Sequence, residues 1–125
     1  MDQRPLVSDD IETGADLVKE FAKFSPVQVA FWLKATDENQ RFLYIASDAA
    51  DNGQRTDAYR QVLKIIAKLQ PVYFDPFQVK LIRSDDALAK AAISIRDRFP
   101  ARIGTHLGGN LFAGILVDDV YIYPQ

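Results

Sequence analysis

The chain has 125 residues, 48% of them apolar, with one histidine and no cysteine. That size fits a single domain able to bury about 65% of its unfolded surface without disulfides or metals. Thiol nucleophiles, cysteine-histidine zinc sites, two-histidine metal sites and redox disulfides are excluded, and a formal charge of −2 gives the surface no general attraction for nucleic-acid phosphates.

Residues 1–7 read as a short flexible lead, and residues 8–125 as one domain. The N-terminus has no apolar stretch behind a basic start, and no apolar run approaches the ~20 residues of a membrane helix, so a cytoplasmic protein without membrane contact is expected. Asp9 and Glu12 form a capping-box-like start, after which Ile11, Ala15, Val18 and Phe21 recur at helical spacing until Ser25 and Pro26 stop the helix. Val27, Val29, Phe31 and Leu33 alternate with Gln28, Ala30, Trp32 and Lys34, a strand with one strongly apolar face. A turn at 37–40 returns the chain as a second strand over 41–47, giving an antiparallel hairpin.

Residues 48–55 read as a polar loop. Ala58, Tyr59, Val62, Leu63, Ile66 and Leu69 then trace a helix with Thr56 as N-cap and Pro71 as its stop. Phe77, Val79 and Leu81 mark a third strand, and Ser84 caps a helix whose stripe is Leu88, Ala91, Ala92, Ile95 and Phe99. Beyond Pro100 the pattern is β: a strand over 101–107, a turn at Gly108 and Gly109, a strand over 111–117, and a tight turn at Asp118 and Asp119 into a terminal strand. The order α-β-β-α-β-α-β-β predicts an α+β fold: a single mixed, largely antiparallel sheet of five or six strands, with three helices mainly on its apolar face.

Ala30-Phe31-Trp32, Ser84-Asp85-Asp86 at a helix start, Gly109-Asn110 and the ending Asp119-Val120-Tyr121-Ile122-Tyr123 look like an uncharacterised group of small bacterial α/β proteins. The resemblance spans most of the chain. It implies a bacterial soluble domain and supplies no activity and no catalytic residue.

His106 is the first candidate for chemistry, because imidazole alone titrates near neutrality without perturbation. Strand alternation puts it on one face with Arg102 and Gly104. A small anion approaching the bare backbone of Gly104 would meet a general acid/base in His106 and a guanidinium in Arg102, with the Asn110 amide nearby. The bland alternative is a strand histidine on a solvated face, since no orienting carboxylate is evident. Asp48 to Gly53 fails as a calcium loop, because Ala50 and Tyr59 fall where oxygen ligands are needed. Asp85 with Asp86 and Asp118 with Asp119 suit magnesium only in part. A helix start and a turn explain them more simply, and no metal or cofactor is expected. The glycines at 104–109 precede a strand, not the helix that a phosphate-binding loop requires.

Trp32 and Lys34 share one strand face, Tyr44 lies on the adjoining strand, and Tyr121 and Tyr123 end the chain. Such a surface suits a protein contact, a second copy of the chain or a second helix layer better than base stacking, for which the acidic composition is unfavourable. Two readings follow: a non-enzymatic interaction or regulatory domain, or an enzyme or binding protein for a small anion built on His106 and Arg102.

Overall fold

The computed structural model describes residues 8–51, 53–69, 76–98, 105–108 and 111–124. Helix α1 (Ser8–Phe24) ends at its expected stop. There the Ser25 amide donates to the Phe21 carbonyl at 3.0 Å, and Pro26 brings no N–H to continue the ladder. Strands β1 (Val27–Ala35) and β2 (Phe42–Ser47) form the expected antiparallel hairpin.

Residues 48–51 are not loop but one helical turn, α2 (Asp48–Asp51). Its start is held by the Ala49 amide, which donates to Ser25 Oγ at 3.0 Å, and both Ala49 and Ala50 are buried. Small apolar residues that can be covered take this segment out of the polar-loop class. Helix α3 (Arg55–Leu69) begins one residue before Thr56, with the Gln54 carbonyl accepting from the Ala58 amide at 2.9 Å. A 3₁₀ turn (Pro76–Gln78) leads into β3 (Val79–Ile82). Helix α4 (Ala87–Arg98) is capped by Asp86, not Ser84: Asp86 Oδ1 accepts from the Leu88 amide at 2.9 Å. Three strands follow, β4 (Thr105–Gly108), β5 (Leu111–Phe112) and β6 (Ile115–Ile122).

The architecture is α+β with one mixed sheet in the order β3-β2-β1-β6-β4, and β5 pairs with the outer end of β6. Among the described strands only β2 and β3 run parallel. Four helices, counting the short α2, stand among the described elements where three were expected.

Helices cover both faces of the sheet, and α1 and α3 lie on the less apolar face of β1, which corrects the expectation that the helices pack mainly on its apolar face. On one side Leu17 and Phe21 of α1 and Val62 and Ile66 of α3 pack on Trp32, Leu43, Ile45 and Leu81. On the other, Ala89 and Ala92 of α4 lie on Val29, Phe31, Leu33, Val120 and Ile122. The second face of β1 reads as polar at Gln28 and Lys34, but its centre, Ala30 and Trp32, is apolar. A central strand buried on both faces needs that composition.

Strand β6 runs unbroken through Asp118 and Asp119, so the tight turn expected there does not exist. Lys34 pairs with Asp119 and Ala35 with Val117, leaving Asp118 as the extra residue of a β-bulge. The bulge changes the alternation and lets Val117 and Val120 enter the same core. The turn lies earlier, at Ala113 (φ 52°) and Gly114 (φ 85°), where two successive positive φ values match the twist of a two-residue hairpin. Ala-Gly is a weaker turn signal than Asp-Asp in sequence, which is why the turn is misplaced by composition.

One buried hydroxyl makes no hydrogen bond among the described residues. Ser47 is fully buried and its Oγ has no hydrogen-bond partner. Ser47→Ala is therefore expected to leave stability unchanged or to raise it by about 1 kcal/mol in urea denaturation. A loss of that size would contradict the packing described.

Candidate functional site

His106 lies on β4, the terminal strand of the sheet, with its backbone opposite Tyr121 of β6. Arg102, Gly104 and Asn110, the rest of the expected anion site, lie outside the described residues. The described structure therefore brings no second member of that site beside His106.

The five residues expected to form an interaction surface are mostly interior. Trp32, Lys34, Tyr44 and Tyr123 are buried, and Tyr121 is partly buried against the same core. The helix layer of α1 and α3 uses the aromatic face that a partner would have used. Trp32 Nε1 donates to the Tyr123 hydroxyl at 2.9 Å, and that hydroxyl donates to the Ile11 carbonyl at 2.6 Å. Burial pushes the Tyr123 phenol far above the ordinary tyrosine range, so it acts as a neutral pin between the end of the chain and α1. Tyr44 faces the other core, stacked on Phe31 at 5.2 Å. Its phenol is also raised, mainly by burial and then by the charges of Glu38 and Asp86.

The acidic pairs have structural partners. Asp118 Oδ2 accepts from Lys34 Nζ at 2.7 Å, and its Oδ1 accepts from Thr36 Oγ1 at 3.1 Å. These bonds, Lys34 first, hold the Asp118 carboxyl below the usual carboxylate range. Lys34 also donates to the Glu38 carbonyl at 2.9 Å, which ties the β1–β2 turn to β6. Arg41 grips Asp119 through two bonds, Nε to Oδ1 at 3.2 Å and Nη2 to Oδ2 at 2.7 Å. Asp85 accepts two bonds from Arg83, and Asp86 caps α4. Among the described residues no group of three metal-ligating side chains occurs.

A surface that sequence reading missed lies at the end of the β5–β6 hairpin. Leu111 and Leu116 pair across the two strands and are 68% and 62% exposed. Ile115 is also exposed, but it pairs with Phe112 and so lies on the opposite face of the hairpin, where Phe112 is buried in the α4-side core. The Thr36 amide donates to the Leu116 carbonyl at 3.0 Å, just past the end of β1, so the tip beyond it has no neighbouring strand from β1. The signal was present in sequence as three large aliphatics around Gly114. Reading 111–117 as one strand puts Leu111 and Leu116 on opposite faces, so they do not read as a pair.

No described helix is long and apolar enough to cross a membrane. In comparisons with family models, curated proteins and solved structures, none matches this chain.

Proposed function

We propose that this chain is a small non-enzymatic interaction domain whose contact element is the apolar end of the β5–β6 hairpin. The observation that carries the reading is the exposed cross-strand pair Leu111 and Leu116. The same hairpin is anchored on its other side by Phe112 and by the Lys34 and Arg41 ion pairs, so the apolar end is presented from a rigid base. A second copy of the chain is the simplest partner, because a two-fold axis lets one apolar patch face itself. Full burial of a leucine contributes about 1.5–3 kcal/mol, and association costs several kcal/mol, so the expected contact is weak and reversible.

Sedimentation velocity over a micromolar concentration series tests this. The wild-type chain is expected to associate, and Leu111→Asp combined with Leu116→Asp is expected to be monomeric with its melting temperature kept. A wild-type chain that stays strictly monomeric, or a double variant that associates equally well, would overturn the proposal.

A further inference from the structure

The seam between α1 and α3 opens into a surface groove of about 400 Å³. Helix α1 contributes Glu20, Lys23 and Phe24, and α3 contributes Gln61, Lys64 and Lys68, with buried Ile65 beneath. The α3 residues recur at i, i+3, i+4 and i+7, so they form one face of that helix turned towards α1. Three ammonium groups line the groove against one carboxylate, although the chain as a whole carries a net charge of −2. Glu20 is shared between Lys23 at 2.9 Å and Lys68 at 3.1 Å, across the two helices. Those two bonds hold the Glu20 carboxyl below its usual range. Lys64 has no ion-pair partner among the described residues. At the end of α1, Phe24 is 39% exposed, its ring edge-on to buried Phe21 at 5.7 Å. The groove thus has an apolar patch bordered by cations.

From this arrangement we infer that the α1–α3 groove docks an acidic amphipathic helix of a partner protein. An apolar residue of that helix covers Phe24, and carboxylates one turn apart meet Lys64 and Lys68, which are themselves one turn, about 6 Å, apart. Spacing of this kind distributes charge along an axis. Charge spread along α3 in this way matches a ligand that carries carboxylates at helical spacing, and exposed Phe24 suits an apolar residue beside them. The groove belongs to different elements from the hairpin end, so the inference stands independently of self-association.

The experiment uses a labelled synthetic helical peptide with glutamates at i, i+3 and i+7 beside one leucine stripe, titrated into the full chain. Fluorescence anisotropy is read at low and at elevated salt, beside a scrambled peptide of the same composition, a thymidine oligonucleotide and phosphatidylserine vesicles. The ordered peptide is expected to bind best, with affinity falling as salt rises. Lys64→Glu is expected to weaken it about tenfold, and Lys64→Arg to restore it, with the fold unchanged because Lys64 is exposed. Equal binding of the scrambled peptide, tighter binding of the oligonucleotide or vesicles, indifference to Lys64→Glu, or no binding of the ordered peptide would each overturn the inference.

Discussion

Gly14→Ala is expected to destabilise the chain by about 2 kcal/mol or more, against the usual sign for a helical glycine. In an exposed helix interior the change stabilises by about 1 kcal/mol through propensity. Here a methyl group at position 14 of α1 would collide with the Tyr123 hydroxyl and sit 2.9 Å from Trp32 Nε1. Neither neighbour is a loose side-chain end. The Tyr123 hydroxyl is held from two sides, accepting from Trp32 and donating to Ile11, and moving it forfeits both buried hydrogen bonds. Overpacking costs about 1–3 kcal/mol, and stranded buried polar groups add about 1–3 kcal/mol, so the clash outweighs propensity. Equilibrium denaturation of Gly14→Ala in the wild-type and Tyr123→Phe backgrounds separates the terms. The alanine is expected to cost markedly less once the hydroxyl is gone. A more stable Gly14→Ala chain would show that the Trp32–Tyr123–Ile11 connection does not form.

The second large effect is an inequality between adjacent aspartates. Asp119→Asn is expected to cost about 2–4 kcal/mol, while Asp118→Asn costs under about 1 kcal/mol. The Arg41 side chain is 7% exposed and Asp119 is 18% exposed, so removing this carboxylate leaves a buried guanidinium without the charge that faces it. Asp118 is 47% exposed, and water screens its bond to Lys34. Urea midpoints of the two variants, together with a double-mutant cycle of Asp119→Asn with Arg41→Met, give the test. Equal losses at the two positions, or a larger loss at Asp118, would mean that Arg41 is not the buried partner described.

These two effects arise where the linear pattern was read wrongly. Asp118 and Asp119 have turn composition, yet they sit inside a strand: Asp118 bulges out, half exposed, to meet Lys34, and Arg41, far away in sequence, supplies the charge that faces the part-buried Asp119. Trp32 alternates onto the less apolar face of β1, for which sequence leaves a partner and a second helix layer as alternatives. Coverage comes from α1 and α3, whose apolar stripes are legible but whose choice of sheet face is not. Asp86 and Ser84 are equally good caps by residue type, and only the observed helix start distinguishes them.

Local chemistry read along the chain was sufficient for the long elements, the α+β class and the β1–β2 hairpin, because hydrophobic period, Pro26 and the turn residues act over a few positions. It was also sufficient to exclude thiol chemistry, cysteine-histidine zinc sites and two-histidine metal sites, since those need side chains that are not there. Strand order, the coverage of both sheet faces, the bulge at Asp118, the buried Trp32–Tyr123 pin and the exposed Leu111–Leu116 end depended on three-dimensional packing. Each joins or separates residues that are distant in sequence or on opposite faces of one element, and periodicity carries no information about which distant surface will cover a given face.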